Sequence, residues 1–360
     1  MASCRAVKSS CPLLRARSLG ARWFALWTLA CASGCDMTKL AVNTQADVMA
    51  RASPVVEEQT DYEFARTSIP ATLTQIDGLL RVSPENETLL LLAVRGFASY
   101  AYSFIEDDME QAELSGDYQR ADYQRGRARR MYLKAKRLGL QLLAIVEADF
   151  PEKLQRDPDT LKQFLDAEFT DASDAPALFW TGYAWGSAIN VSRDNPELIA
   201  DLPFPLVLVE RALALDETYY HAAGHVFLGV AKSSAGTSMG GNPEQGRKHF
   251  ERALALTNRK ASIVHVKYAQ SYAVQVQDKK LFSALLGEVL AAPITAGTRL
   301  SLANTVARRR ARRLHSQADT LILEPLERAP TEPPASAEPR EDTTPPPEAR
   351  TTSDEERGLN

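Results

Sequence analysis

The sequence Glu-Arg-Ala-Leu-Ala-Leu occupies positions 210–215 and recurs at positions 251–256, 41 residues later. Each copy follows a short apolar stretch and precedes a polar break, at 216–217 and at 257–258. A unit that recurs in this way is usually one helical hairpin, which stacks on its neighbours because a single hairpin cannot bury its own apolar face. The repeat therefore predicts an all-α protein, an α-solenoid of degenerate tetratricopeptide-like helical hairpins.

Other segments approach the tetratricopeptide pattern, in which helix B carries Ala-x3-aromatic-x2-Ala. Ala128, Tyr132 and Ala135 match that spacing in full, whereas Val209 and Ala212 keep the alanine but place valine at the aromatic position. Small residues let the two helices of a hairpin approach closely, and the aromatic side chain fills the gap between neighbouring hairpins. Three glycines occupy the matching positions of helix A: Gly96, Gly182 and Gly229.

The helical pattern extends over residues 36–322, but no interval between units is a clean 34 residues. We interpret the additional residues near 106–127, 190–205 and 236–246 as loops inserted between the helices of a hairpin. An irregular helical bundle is the alternative. The segment 263–273 has apolar residues at both helical and strand spacing, and we predict a helix there.

Composition excludes several classes of function. The chain has 360 residues and a net charge of −4, which gives no basic footprint for nucleic acid. All four cysteines lie within the first 35 residues. The remainder of the chain can therefore form no disulfide, no cysteine-based zinc site and no thiol nucleophile, which is consistent with folding in an oxidising compartment.

The first 35 residues have the features of a secretory leader. Residues 1–22 carry five basic side chains and no acidic one, and an apolar run follows at 23–30. That run is too short to span a bilayer, which takes about 20 apolar residues. Ser33-Gly34 before Cys35 resembles a bacterial lipobox, so we predict lipidation at Cys35, with Cys31 as the second choice and an ordinary cleaved signal as the alternative. Two acyl chains at one residue would anchor the protein stably.

Two segments near the C-terminus differ in composition from the rest of the chain. Residues 308–313 hold five arginines on a helix whose other stripe is apolar, and we expect a solvated helical face there; contact with anionic lipid or an acidic partner is the alternative. Residues 323–360 are rich in proline and glutamate and contain few large apolar side chains. They predict a disordered tail, because they cannot bury enough surface to offset the entropy of ordering.

Enzymatic and metal-binding motifs are incomplete. Ser238 lies in a Gly-x-Ser-x-Gly match, but a nucleophile elbow needs a preceding strand, whereas the preceding segment belongs to a helical hairpin. His221 and His225 are four residues apart and would share one face of a helix. Ala222 stands where a zincin has its glutamate, so we predict no metal ion and no cofactor. The acidic run 106–108 lacks calcium-loop spacing and is expected to end a helix or line a loop.

Aromatic residues are concentrated in the middle of the chain and suggest a groove for a ligand or a partner. Concave faces of solenoids use such side chains to hold peptides or apolar ligands. Packing between hairpins is the alternative interpretation. The candidate residues for the groove, with the two histidines, are Trp180, Tyr183, Trp185, Tyr219, Tyr220, His221 and His225.

Taken together, the lipobox, the degenerate repeats and one aromatic block give the chain a family resemblance. It resembles the T component of tripartite ATP-independent periplasmic (TRAP) transporters, the TatT lipoproteins, over roughly residues 36–316. The aromatic block at 178–186 is the most specific of the matching stretches. The others are 195–203, 209–215, 225–229, 248–254, 266–269 and 278–290.

The resemblance implies an all-α lipoprotein on the periplasmic side of the bacterial cell envelope, anchored to the inner or the outer membrane. It also implies binding to the solute-binding protein of a TRAP transporter, a groove for an apolar or organic-acid ligand, self-association and no catalytic residues. One alternative is a general tetratricopeptide scaffold in envelope assembly. Another is a serine hydrolase that uses Ser238.

Overall fold

The computed structural model describes residues 34–234 and 241–323. All regular secondary structure in these two ranges is helical, which confirms the all-α prediction. Most of the leader, including Cys31, lies outside the described residues, as do Ser238 and residues 324–360. The boundaries predicted at 35 and 323 and the disordered tail therefore stay predictions.

The helices are α1 Gly34–Ala52, α2 Pro54–Glu57, α3 Tyr62–Val82, α4 Glu87–Leu114, α5 Tyr118–Val146, α6 Phe150–Leu154, α7 Pro158–Glu168, α8 Ala175–Asn190, α9 Pro196–Ala200, α10 Pro203–Leu215, α11 Tyr219–Ser234, α12 Pro243–Leu256, α13 Ser262–Tyr268, α14 Lys279–Ala291, α15 Ser301–Ser316 and α16 Ala318–Leu321. Two of them contain or adjoin a π-helical segment, Ala101–Ile105 inside α4 and Ala269–Ala273 directly after α13. The predicted helix at 263–273 is thereby confirmed.

Polar side chains define where several helices begin. Asp61 accepts a hydrogen bond from the backbone N–H of Phe64 at the start of α3, and Asn86 accepts one from Leu89 at the start of α4. These caps satisfy N–H groups that have no partner within the first helical turn.

Consecutive long helices pack against each other along the chain. The packed pairs are α3 with α4, α4 with α5, α5 with α8, α8 with α10, α10 with α11, α11 with α12, α13 with α14 and α14 with α15. The two copies of the repeated hexapeptide lie in α10 and α12, each the second helix of a packed pair. This order is compatible with the predicted solenoid.

Two glycines on first helices lie where the sequence pattern predicted close approach. A Cβ atom on Gly182 would lie 2.7 Å from Val209 Cγ2, and one on Gly229 would lie 3.0 Å from the ring of Phe250. Val209 and Phe250 lie on the second helices, α10 and α12. The close approach predicted at the two glycines is confirmed.

The insertions predicted from irregular spacing are only partly correct. Residues 106–127 are not a loop, because α4 continues to Leu114 and α5 begins at Tyr118. The acidic run 106–108 consequently lies inside α4, and Glu106 and Asp107 are buried rather than at a helix end. Residues 190–205 do contain an insertion, which holds the short helix α9.

Helix α4 is the central apolar helix of the first half. Its length and mean hydropathy would suffice for a membrane span. However, Leu89, Leu90 and Phe97 belong to the protein core, and the helix packs against α3, α5 and α8. Burial in the protein core accounts for its apolar composition.

The expected solvated arginine face of α15 is wrong for two of its residues. Arg310 is 1% exposed and Arg313 is 8% exposed, whereas Arg312 is exposed. The apolar stripe of the same helix is also buried, and α15 packs on α2, α3, α13 and α14. Arg310 and Arg313 form hydrogen bonds with carboxylates of α4. A local sequence pattern cannot reveal these partners, because they lie on a helix that is distant in sequence. Helix α15, the last long helix, therefore contacts the early helices α2, α3 and α4.

Candidate binding site in the protein interior

Helix α8 carries the predicted aromatic residues into the core. Its residues are apolar around most of the circumference, and it lies against α4, α5, α10 and α11. A helix that is apolar on all sides is buried on all sides. Phe179 and Trp180 are consequently 2% exposed each.

Five side chains form one aromatic cluster: Phe179, Trp180, Tyr183, Tyr219 and Tyr220. The Trp180 ring packs edge-on against Tyr220 at 4.8 Å and against Tyr183 at 5.5 Å, and its Nε1 donates a hydrogen bond of 3.0 Å to the Tyr219 hydroxyl. Tyr183 stacks on Phe179 with 5.8 Å between ring centroids. Tyr183, Tyr219 and Tyr220 are half-buried, so part of the cluster faces open space.

A left-handed turn presents Tyr220 to this cluster. Tyr220, His221 and Ala222 have φ values of 46°, 60° and 59° at the beginning of α11. Left-handed helical geometry costs L-residues about 1–2 kcal/mol each. Such strain is found most often at binding and active sites, where the surrounding structure maintains it.

The charged neighbours of this turn are cationic. The guanidinium of Arg95 lies 5.1 Å from the Tyr220 ring centroid and pairs with the buried carboxylate of Glu57. Burial, then Arg299 and Arg95, lowers the pKa of His221 below its usual value. His221 is therefore neutral at physiological pH, and the fixed positive charge is that of the arginines.

Two predicted groove residues lie outside the aromatic cluster. Trp185 stacks on Phe204, and its Nε1 donates a 3.1 Å hydrogen bond to Asp201. His225 Nδ1 lies 2.9 Å from His249 Nδ1. The expectation that His221 and His225 share one regular helical face is wrong, because the left-handed turn interrupts the right-handed helix at His221.

A charged cluster lies where α15 meets α4; its members are Glu106, Asp107, Glu110, Arg309, Arg310 and Arg313. Arg310 Nη1 donates to Glu110 at 2.5 Å, and Arg313 Nη1 donates to Asp107 at 2.8 Å. Burial disfavours the Asp107 carboxylate, but Arg313, Tyr62 and Arg309 together outweigh burial and lower the pKa of Asp107. Asp107 is thus an anion in a charge-assisted pair.

The pKa of Glu106 is shifted in the opposite direction from that of Asp107. Burial raises the pKa of Glu106, and Arg310, at 3.8 Å, opposes that shift only in part. Its Oε1 accepts a short hydrogen bond from the hydroxyl of Tyr132, which is fully buried. Since burial favours the neutral acid, the charged cluster tends towards excess positive charge.

Tyr102 and Lys267 adjoin the charged cluster. Arg310 Cζ lies 4.0 Å and Lys267 Nζ 4.8 Å from the Tyr102 ring centroid, so two cations contact one phenol. Burial, then Arg310, lowers the pKa of Lys267 to about 8. Part of the Lys267 side chain nevertheless remains accessible, as does part of Tyr102.

Tyr183 connects the two clusters. It belongs to the aromatic cluster through Phe179 and Trp180. Burial, then Glu106 and Tyr102, raises the pKa of the Tyr183 hydroxyl well above its ordinary value. Tyr183 thus has ring contacts with the aromatic cluster and an electrostatic interaction with Glu106 of the charged cluster.

The sequence interpretation missed the charged part of this interior. Lys267 stands between Val266 and Tyr268 in an otherwise apolar helical stretch, and Glu106 follows the apolar residues of α4. A charge at a position that the helical period assigns to the core is the signal that could have identified both residues.

The arrangement has the composition of a small-molecule binding site. In the part of the chain that the structure describes, no three histidine, cysteine or acidic residues are grouped to hold a metal ion. The segment that precedes Ser238 is helix α11, whereas a nucleophile elbow follows a strand. Aromatic walls with a few convergent polar groups are typical of small-molecule sites.

Comparison with known proteins agrees with the helical architecture. The family model described as "TRAP transporter T-component" matches residues 58–322. An uncharacterised protein of Treponema pallidum (strain Nichols) is 21% identical over 316 residues, which cover 84% of this chain and 97% of that protein.

Proposed function

Because the chain belongs to the TRAP transporter T-component family, we propose that it is a lipoprotein that binds the substrate-binding component of a TRAP-type transporter. The family match carries this proposal, since it spans α3 to α16 and thus nearly the whole helical array. A helical array of this kind works by presenting surfaces to other molecules. Catalytic residues are not part of the proposal.

We also propose that the protein binds a ligand of its own, near the aromatic cluster. The aromatic cluster offers apolar walls, and Tyr219 and Tyr220 are only half-buried. Two cations, Lys267 and Arg310, contact the Tyr102 ring. An apolar or organic-acid ligand matches both properties.

The proposed location is the periplasmic side of the bacterial envelope, with an acyl anchor at Cys35. Cys35 is the second residue of α1, so an anchor there would attach the membrane directly to the first helix. Replacement of Cys35 by serine should move the protein from the membrane fraction to the soluble fraction, whereas replacement of Cys31 should not. The reverse result would assign the anchor to Cys31.

The partner is tested by affinity capture of the full chain from cells treated with a membrane-permeant cross-linker. Mass spectrometry should identify a periplasmic solute-binding protein, and the capture should also report self-association through tagged and untagged copies. Recovery of outer-membrane or cell-wall assembly factors without a solute-binding protein would favour a general scaffold instead. Labelling of Ser238 by a fluorophosphonate would support the hydrolase alternative and contradict a non-enzymatic role.

A further inference from the structure

The surroundings of Tyr102 include buried hydrogen-bond donors that have no acceptor in the protein. The Tyr102 hydroxyl and Arg310 Nε are buried and have no hydrogen-bond partner in the structure. A buried donor without a partner costs about 1–3 kcal/mol, so native proteins rarely keep one without a reason. A ligand with an acceptor group would satisfy these donors.

Lys267 adds a positive charge that lacks a carboxylate partner. Within the described ranges, no Asp or Glu oxygen comes within 4 Å of Lys267 Nζ, and the contacts of this ammonium are Gln270 Oε1 at 3.3 Å and the Tyr102 ring. Glu106 and Glu110 act on it only at longer range. A buried ammonium without a counter-ion is costly, because burial disfavours charge that is not paired.

The remaining charges of the neighbourhood are already paired. Asp107 accepts from Arg309 and Arg313, and Glu110 accepts from Arg310 and Arg313. Among the described residues, Lys267 is thus the cation of this group that no carboxylate oxygen approaches within 4 Å.

The backbone near Tyr102 and Lys267 also has an unusual helical geometry. Tyr102 lies within the π-helical segment Ala101–Ile105, and Lys267 lies two residues before the second one, Ala269–Ala273. Single π-turns within α-helices are rare and occur frequently at functional sites. One π-helical segment therefore contains Tyr102, and the other begins two residues after Lys267.

We propose that Lys267, the Tyr102 hydroxyl and Arg310 bind the carboxylate group of an organic acid whose apolar body lies towards Tyr183 and the aromatic cluster. The carboxylate pairs with Lys267 and accepts hydrogen bonds from the unused donors. This inference deepens the proposed function, on which it rests for the presence of a ligand in the interior. It assigns the chemical class of that ligand and the residues that select it.

The test measures binding to the purified full chain by isothermal titration calorimetry, with octanoate and 2-naphthoate as acids. Octanamide and 2-naphthamide are the matched uncharged probes, since they keep the shape and lose the charge. At least one acid should bind, and its amide should bind about 10- to 100-fold more weakly, as expected for loss of one charge-assisted hydrogen bond. Equal affinities of acid and amide, or no binding of either acid, would overturn the proposal.

Variants locate the site. Lys267→Met should weaken binding of the acid about 10- to 100-fold and leave the amide unchanged. Tyr102→Phe, which removes only the hydroxyl, should weaken binding of the acid by a smaller factor and serves as the second variant if Lys267→Met misfolds by circular dichroism. Lys248→Met is the control, because Lys248 is an exposed lysine on α12. Loss of binding in Lys248→Met to the same extent would refute the assignment.

These measurements separate the inference from the proposed function, because they need no transporter partner. Failure of acid binding together with capture of a solute-binding protein would refute the carboxylate site alone. Acid binding without capture of a solute-binding protein would refute the transporter partnership and leave the site in place.

Discussion

Arg313 Nη1 lies 2.8 Å from Asp107 Oδ1, and this ion pair joins helices α15 and α4 across 206 positions of the chain. The side chains are 7% and 1% exposed, so the pair is buried. A linear stack of hairpins would leave its first and last units apart. Here a long-range contact between charged side chains brings the last long helix onto an early one.

Breaking this pair should destabilise the whole array. Arg313→Met removes one of the arginines that pair with the buried Asp107 carboxylate. Loss of one partner of a buried ion pair costs about 3–5 kcal/mol. Arg312→Met is the matched control, since Arg312 is the exposed neighbour on the same helix. Urea unfolding should show a large loss of free energy of unfolding for the first variant and less than about 0.5 kcal/mol for the second. Equally small losses of the free energy of unfolding in the two variants would show that Asp107 and Arg313 are not in contact.

Two glycines should respond oppositely to the same substitution. A Cβ atom on Gly246 would lie 2.1 Å from Ser233 Oγ and 2.9 Å from the carbonyl oxygen of Gly229, so α11 and α12 could not keep their spacing. Gly246→Ala should lower the free energy of unfolding by about 1–3 kcal/mol. Gly287, on α14, has no atom within 4 Å of that position. Gly287→Ala should stabilise by up to about 1 kcal/mol, because alanine favours the helix and restricts the unfolded chain.

A gain of stability in Gly246→Ala would contradict the close packing of α11 on α12. Thermal unfolding followed by circular dichroism at 222 nm measures both variants under one condition. The comparison also tests the repeat, since Gly229 and Gly246 lie on the two helices of one hairpin.

The fold was predictable where its cause is local, and the charged part of the candidate site was not. Small residues in the repeat predicted close approach at Gly182 and Gly229, and a Cβ atom on either would contact a neighbouring helix. Four of the five residues of the aromatic cluster were candidates because adjacent aromatic residues are visible in the sequence, and their role in a groove stays a prediction. The contacts of Arg310 depend on a helix about 200 residues away, and periodicity carries no information about such a partner.

The left-handed turn shows a second limit of sequence reasoning. His221 and His225 have the spacing of a shared helical face, but the φ values at 220–222 place them in different surroundings. No glycine or asparagine at these three positions marks the turn, and tertiary contacts of Tyr220 with Trp180 and Arg95 accompany it. Local propensity therefore favoured the wrong geometry.

The phase of the repeat can be tested within one copy of the hexapeptide. Ala253 is fully buried, whereas Ala255, two residues further along α12, is exposed. Ala253→Asp should unfold the array or cost several kcal/mol, because it buries a charge that has no partner. Ala255→Asp should leave the melting temperature nearly unchanged. Similar melting temperatures for both variants would show that the helical phase assigned to the repeat is wrong.

Lys267 should reduce stability as long as its ammonium has no anion to bind. Burial and Arg310 lower its pKa from 10.5 to about 8 in the folded protein, although Glu106 and Glu110 oppose the shift, and Tyr102 faces it with a hydroxyl whose pKa burial raises. Between pH 8 and 10.5 the unfolded chain holds a proton that the folded chain has released, so stability rises with pH in this window. Below pH 8 both states are protonated and the full penalty applies.

Lys267→Met should therefore be more stable than the natural protein at pH 7, by about 1–2 kcal/mol, which is less than the pKa shift alone would give because part of the side chain stays hydrated. The advantage should shrink from pH 8 upwards and vanish above pH 10.5. Urea unfolding of both proteins at pH 7, 9 and 10.5 measures the difference directly, and Lys248→Met should show no such trend. A less stable Lys267→Met protein at pH 7 would mean that the ammonium already has a favourable partner within the protein, and a stabilising charge of that kind would not need a ligand's carboxylate.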